Sequence, residues 1–276
     1  MRPPFPYFGG KTMLGPQIAA LLPAHLHYVE PFCGSLAVLM AKSPAKIETV
    51  NDLDGELMTF WQVLRDRPED LARACALTPH SRGEYLASLE RDTDDDLEMA
   101  RRVWVRLTQG RGRTLREDKT GWKHYVYPSG TSIGMPGYLD GYVGRMATAA
   151  ARLHGVSLEC LPALDLIAKY GAEPEVLLYV DPPYLGTTRN HRNNYKHEMK
   201  DAADHVALAE ALRAARAAVV VSGYASDLYD RELYAGWDRL SLPAHTGNGG
   251  QDNTARVEVL WSNRPLGDQL ALEFES

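Results

Sequence analysis

The 276-residue sequence has no apolar run near the roughly 20 residues needed to span a bilayer. Its start, Met1-Arg2-Pro3-Pro4-Phe5, lacks the charged-then-apolar pattern of a secretory signal. Both absences predict a cytoplasmic protein with no membrane partner. Cysteine is scarce: Cys33, Cys75 and Cys160 lie too far apart for a metal knuckle or a redox pair, so no metal site is expected and the thiols read as reduced and mostly buried. There is no internal repeat, no low-complexity segment and no three-glycine dinucleotide fingerprint, which counts against a nicotinamide or flavin enzyme. Hydrophobic residues at 45% and charged residues at 24% are ordinary globular values and exclude fibrous and disordered classes.

The net charge of −6 argues mildly against a general polyanion binder, but its distribution is uneven. Arg101, Arg102, Arg106, Arg111, Arg113, Arg116, Lys119 and Lys123 face only Glu117 and Asp118, and an acidic stretch from Glu90 to Glu98 precedes them. The acidic part reads as a solvated helix face. The basic part runs through Gly110, Gly112 and Gly121 with Trp122, Tyr125 and Tyr127 interleaved. Cations and aromatics on a glycine-containing loop suit phosphates and bases, so Arg111, Arg113, Arg116, Lys119, Lys123 and Tyr125 are candidate nucleic-acid contacts. A second polar loop, with Arg189, His191, Arg192, Tyr195, Lys196 and His197, is either a contact to such a ligand or ordinary solvated chain.

The order of elements is that of an α/β protein. His27 to Phe32 reads as a buried strand, Cys33-Gly34-Ser35 as a turn and Leu36 to Met40 as a helix. Ile47 to Val50 reads as a second strand ending at Asn51-Asp52, before the helix Glu56 to Leu64. A right-handed βαβ unit places both turns at the carboxyl edge of a parallel sheet. From about 68 to 153 the pattern is helical with long polar intervals, including a structureless-looking segment from Gly110 to Pro136. Strands resume at Val156 to Cys160, Val176 to Val180 and Ala218 to Ser222, with a helix from Ala202 to Ala215, and Arg256 to Ser262 reads as a final, antiparallel edge strand.

Asp181-Pro182-Pro183-Tyr184 follows the most apolar strand directly. Two prolines stiffen the turn and leave its carbonyls free of ladder duty. An acid, a free carbonyl and an aromatic ring together suit the exocyclic amine of a planar base: Asp181 and the Pro182 carbonyl each accept one N–H, and Tyr184 stacks on the ring. Such acceptors draw the nitrogen toward tetrahedral geometry and stabilise its developing positive charge. The bland alternative is a capped Pro-Pro turn. Tyr7-Phe8-Gly9-Gly10-Lys11 puts a flexible glycine pair beside an aromatic and a cation, suited to a carboxylate or phosphate. Glu30-Pro31-Phe32-Cys33-Gly34-Ser35 lets a ligand approach the backbone at a helix N-terminus, and Asp52 stands where an acid accepts two ribose hydroxyls. His205 reads as a packed or capping residue, Phe60 and Trp61 as core, and the stretch from Gly247 to Asn253 as a connecting hairpin.

Taken in order over nearly the whole chain, Tyr7-Phe8-Gly9-Gly10-Lys11, Glu30-Pro31-Phe32-Cys33-Gly34, Asn51-Asp52 and Asp181-Pro182-Pro183-Tyr184 resemble the motifs of Dam-type DNA adenine methyltransferases, particularly phage and prophage forms. The resemblance implies an α/β fold: a Rossmann-like methyltransferase sheet formed by 1–55 and 155–276, with an inserted, mainly helical target-recognition subdomain at 56–154. It implies S-adenosylmethionine as cofactor and double-stranded DNA as partner, with no obligate protein partner. Tyr7, Phe8, Gly9, Gly10 and Lys11 then line the cofactor site near its methionine end. Glu30, Pro31, Phe32 and Gly34 lie beneath the cofactor, and Asp52 holds its ribose. Asp181, Pro182, Pro183 and Tyr184 handle an adenine flipped out of the duplex, with Asp181 also next to the cofactor, and Arg189 joins the basic residues of the insert on DNA. Asp204-His205, Ser222-Gly223-Tyr224 and Leu260-Trp261-Ser262-Asn263 also look like family sequence and are assigned to framework or rim.

Two positions depart from that pattern. Leu36 stands where a second turn glycine is common and is expected to narrow or reshape the pocket floor. Cys160-Leu161-Pro162-Ala163 lacks the acid that usually meets the cofactor's adenine, with Asp165 nearby. Methylation of the cytosine amine and a catalytically silent DNA-binding relative are the alternative readings.

Overall fold

The computed structural model describes residues 1–116, 120–124, 134–184, 199, 201–243 and 257–267. Its centre is a seven-stranded sheet in the order β3-β2-β1-β4-β5-β7-β6. The strands are β1 (His27–Glu30), β2 (Ile47–Asn51), β3 (Val156–Glu159), β4 (Val176–Val180), β5 (Ala218–Tyr224), β6 (Asp238–Pro243) and β7 (Val257–Ser262). β4 is buried at every residue, as a central parallel strand covered on both faces requires. β1 pairs in parallel with β2 on one side and β4 on the other. The chain therefore reverses its direction of travel across the sheet between β1 and β4, and at such a switch point the loops diverge and leave a crevice.

Strand periodicity divides the core between the two faces. Tyr28, Leu177, Tyr179, Val220 and Leu260 belong to one cluster, with Phe60, Trp61 and Trp104. Val29, Leu178, Val180, Val219, Val221 and Trp261 belong to the other, with Leu208 and Leu212 of the helix Ala202–Ala214.

The final strand is antiparallel, as its position suggests, but it is not the edge. β7 runs antiparallel to both β5 and β6, and β6 takes the edge. β6 escaped the sequence reading because only Leu242 of Asp238–Pro243 is buried, so no apolar alternation marks it.

The helices α1 (Gly15–Leu21) and α2 (Ala37–Ala41) flank β1, and between β2 and β3 lie the helices α3 (Gly55–Asp66), α4 (Pro68–Ala76), α5 (Arg82–Ala87), α6 (Asp96–Gln109), α7 (Gly134–Val143) and α8 (Met146–Leu153). Asp54 caps α3 by accepting the Glu56 N–H, and Asp95 caps α6 by accepting those of Leu97 and Glu98. The side chains of this helical segment share the first core cluster with the sheet: Trp61, Val103, Trp104, Met146 and Leu153 pack with Tyr28 and Val50. The described residues after Gly110 carry backbone pairing. Gly110 bridges to Trp122, the Arg111 N–H donates to the Gly121 carbonyl and the Lys123 N–H to Gln109, so residues 110 and 122 close a loop at the end of α6.

The N-terminal segment is held by the same helices. Phe5 packs edge-on to Phe60 at 4.9 Å, the Trp104 indole N–H donates to the Pro4 carbonyl, and the Phe8 N–H donates to the Arg113 carbonyl at 2.8 Å.

Candidate active site

A cavity of about 610 Å³ opens at the switch point, above the carboxyl ends of β1, β2 and β4. That is the size of a pocket for a cofactor-sized molecule. Tyr7, Phe8, Gly9, Gly10 and Lys11 line it, as do Glu30, Pro31, Phe32, Gly34, Asp52, Asp181 and Pro183. Residues from four separate stretches of sequence are thus brought to one hollow. Leu161, Pro162, Asp165, Met199 and Asp204 add walls that the motifs did not specify.

Two glycines make the approach possible. A Cβ on Gly10 would sit 2.9 Å from the Ser35 hydroxyl oxygen and 3.1 Å from the Tyr7 carbonyl. Gly34 adopts φ +45°, and a Cβ there would lie 3.0 Å from the Tyr7 ring. The Trp61 indole N–H donates to the Gly34 carbonyl, so α3 of the helical segment anchors the turn beneath the cavity.

Leu36 does not line the cavity. Its side chain is fully buried in the core, and its departure shows in the backbone, at φ 57° and ψ 30° at the start of the helix Ala37–Ala41. That left-handed conformation costs a non-glycine residue roughly 1–2 kcal/mol, which corrects the expectation of a narrowed floor. Asp165 does line the cavity, from the first turn of the helix Ala163–Tyr170.

Asn51 holds the rim together. Its amide donates to the Pro31 and Leu161 carbonyls and accepts the Leu161 N–H, tying the loops after β1, β2 and β3. Asp52 accepts the N–H of Gly34 and that of Asp54, both at 3.0 Å. Burial lifts its carboxyl to about 6 against the pull of these hydrogen bonds. Glu30, nearly inaccessible, is lifted to about 8 by burial, opposed by the Tyr28 hydroxyl that donates to it.

The acid of the Pro-Pro turn is gripped by a lysine. Lys11 Nζ lies 2.8 Å from each carboxylate oxygen of Asp181, 3.5 Å from Glu258 and also meets the Tyr184 hydroxyl. Burial opposes the ammonium charge, but Asp181 and then Glu258 hold Lys11 well above the ordinary lysine range. Burial raises Asp181 to about 6, with Lys11 pulling it down and Glu258 pushing it up.

Pro182 and Tyr184 are buried beside the cavity rather than in its lining. The Tyr184 ring meets that of Tyr224 at 4.4 Å, and its hydroxyl contacts Glu258 at 3.1 Å. Glu258 and Ser222 are the functional candidates that the motifs missed. An acid inside an apolar strand was the available signal for the first.

In the helical segment, Arg111 and Arg113 are exposed, Arg111 reaching His124 at 3.1 Å. Arg116 is half-buried. Lys123 lies over the Tyr138 ring at 4.0 Å, and burial lowers its ammonium to about 8. Arg101, Arg102 and Arg106 face inward to carboxylates: Glu84 and Glu98 for Arg101, Glu98 for Arg102 and Glu56 for Arg106. Lys119, Tyr125 and Arg189, the hairpin of 247–253 and the polar loop of 189–197 lie outside the described residues. His205 is packed, between the Tyr229 hydroxyl and the Met199 carbonyl. Cys33 and Cys75 are buried thiols and Cys160 an exposed one. Among the described residues no helix is long and apolar enough to cross a membrane and no cluster of metal-binding side chains occurs.

Residues 7–118 match the family of D12 class N6 adenine-specific DNA methyltransferases. The chain is also 25% identical over 264 residues, covering 92% of each sequence, to the Type II methyltransferase M1.LlaDCHI of Lactococcus lactis subsp. cremoris. A methyltransferase family implies S-adenosylmethionine in general, and a DNA methyltransferase implies a DNA substrate. The mostly parallel seven-stranded sheet is consistent with a Rossmann-like methyltransferase fold, and the family match and the relative together support DNA adenine methylation and indicate a DNA adenine methyltransferase.

Proposed function

We propose that the switch-point cavity binds S-adenosylmethionine and that Asp181, with the Pro182 carbonyl, grips the exocyclic amine of an adenine flipped out of double-stranded DNA. The observation that carries this reading is the position of Asp181: at the carboxyl end of β4, in the lining of the cavity, and gripped there by Lys11 of the Tyr7-to-Lys11 loop.

The residues present fit the cofactor. Gly10 and Gly34 let the Tyr7-to-Lys11 loop pack closely on the turn after β1, where a Cβ on either would press on Ser35 or Tyr7, and both glycines line the cavity. Asp52 offers a carboxylate for ribose hydroxyls, and Asp165, Asp181 and Asp204 give the lining an acidic character suited to a cationic ligand, while burial keeps Glu30 largely protonated. When bound, S-adenosylmethionine supplies an electrophilic methyl group on a positively charged sulfur. Asp181 accepts an amine N–H and stabilises the positive charge that grows on nitrogen. It holds the base in line for attack and does not need to remove the proton beforehand.

The helical segment 56–154 is read as the target-recognition unit, with Arg111 and Arg113 the exposed cations that meet phosphates. Such contacts offset the few kcal/mol that flipping costs. The Phe8–Arg113 hydrogen bond joins this unit to the cofactor loop.

The test is to incubate the purified protein with methyl-labelled S-adenosylmethionine and unmethylated duplex DNA, digest to nucleosides and identify the product by mass spectrometry. N6-methyl-2′-deoxyadenosine is the expected product. N4-methyl-2′-deoxycytidine moves the assignment to the cytosine amine, and DNA binding without any product identifies a silent relative.

A further inference from the structure

Glu258 is 4% exposed, sits on β7 opposite Tyr224 of β5 and Leu242 of β6, and does not line the cavity. Its carboxylate is nevertheless tied to the site. It accepts the Ser222 hydroxyl at 2.7 Å and the Tyr184 hydroxyl at 3.1 Å, and stands 3.5 Å from Lys11 Nζ. A buried ionic cluster of this kind adds little to stability compared with an apolar replacement. β7 places apolar side chains at Val259, Leu260 and Trp261, so the acid is an exception on its own strand.

The charge balance gives the exception a purpose. Lys11 meets both oxygens of Asp181. One ammonium against one carboxylate would leave Asp181 electrostatically cancelled at the point where positive charge must grow on the amine. With Glu258 present, one ammonium faces two carboxylates, and a surplus negative charge remains beside the cavity. Charge inside a site that excludes water acts strongly.

We propose that Glu258 is a positioning residue for methyl transfer: it balances the Lys11 ammonium and anchors the Tyr184 hydroxyl, which leaves the charge of Asp181 free to act on the amine of the target base. The inference rests on the reading of Asp181 as the base-gripping acid.

The test uses the full chain with S-adenosylmethionine and duplex DNA, measuring single-turnover methyl transfer against pH for Glu258→Gln, Glu258→Asp and Ser222→Ala, with Asp181→Ala in parallel. Glu258→Gln is expected to slow transfer by about 10- to 100-fold and leave the cofactor Kd within about threefold. It also moves the acid limb of the profile to lower pH. The groups facing Asp181 are Lys11, Glu258, Tyr179, Tyr184 and Glu30, and loss of the like charge at 258 lets Asp181 ionise more readily. Glu258→Asp recovers part of the rate.

A native rate with an unmoved acid limb in Glu258→Gln overturns the inference, as does a slowed rate with an unmoved limb, which is what a merely structural loss gives. If Glu258→Gln fails to fold, Ser222→Ala removes one hydrogen bond to Glu258 and strands no charge. It then decides: a drop of about threefold or more together with a moved acid limb supports the inference, and a native rate or an unmoved limb overturns it. Turnover retained by Asp181→Ala sinks the proposed function and this inference together. A dead Asp181→Ala beside a native-like Glu258→Gln sinks only the inference.

Discussion

The cavity edge of the sheet and the basic segment of the insert both carry conspicuous charge in the sequence, and the structure uses that charge in opposite ways. At the sheet edge one lysine, Lys11, meets two acids and a tyrosine inside the protein, and most residues singled out by motif line one hollow, with Pro182 and Tyr184 buried beside it. In the insert, Arg101, Arg102 and Arg106 turn inward to Glu84, Glu98 and Glu56, while Arg111 and Arg113 remain at the surface. A count of cations therefore overstates what a surface can offer to DNA. A motif at a strand end understates what it demands, because its charges need partners from elsewhere in the chain.

The largest effect expected is on chemistry. Asp181→Ala should slow methyl transfer by about 10²–10³-fold or more, by analogy with loss of one preorganised electrostatic contact, while calorimetry finds cofactor affinity changed by less than about threefold. Lys11 keeps Glu258 as a counter-charge in this variant, so the fold should survive. Cofactor affinity lost along with activity would place Asp181 in the cofactor's grip rather than the base's.

Next in size is a stability effect with a definite sign. The Glu30 carboxyl is raised to about 8 in the folded protein against 4.5 ordinarily. The unfolded chain releases that proton first, so Glu30 costs nothing below about pH 4.5 and destabilises progressively as pH rises from there to about 8. Glu30→Gln should raise Tm at pH 8, by on the order of a few kcal/mol in stability, and change little at pH 5. An equal effect at both values would refute the proton linkage. Arg101→Ala tests the insert side: loss of its ties to Glu84, Glu98 and Thr78 should cost about 1–3 kcal/mol. The salt dependence of DNA binding should stay unchanged in that variant, because the guanidinium is already engaged within the protein.

Much of the sheet was legible because β4 and β5 are buried, mostly apolar runs and β1 and β2 are short aromatic or β-branched stretches ending in turn residues. β6 was not, since an edge strand with a single buried residue has no periodicity to read. At the site, the four motifs carried their own chemistry in adjacent residues. Asn51 and Glu258 act through partners 20 or more positions away along the chain, and no local pattern encodes such partners. The inward arginines were hidden for the same reason: their place on α6 was readable, but whether Glu56 and Glu84 would stand opposite them depended on how α3 and α5 pack.

Arg113 offers the finest division between the two regions, because its backbone and its side chain have separable jobs. Its carbonyl accepts the Phe8 N–H, in the Tyr7-to-Lys11 loop of the cavity wall, and its φ of 52° is one that side chains rarely adopt. Its guanidinium is exposed. Arg113→Ala and Arg113→Gly should therefore weaken DNA binding alike, each lowering the slope of log affinity against log salt by about 0.9, the loss of one phosphate contact. They should differ in stability. Alanine keeps the left-handed penalty, whereas glycine relieves roughly 1–2 kcal/mol of it and costs about 0.5–1 kcal/mol in unfolded-chain entropy. Arg113→Gly should thus match or exceed Arg113→Ala by up to about 1.5 kcal/mol in thermal unfolding. If the two variants have equal slopes but alanine is the more stable, the left-handed turn is not what holds the loop. If the slopes remain native in both, Arg113 serves the Tyr7-to-Lys11 loop alone, and Arg111, also exposed, is the next cation to test.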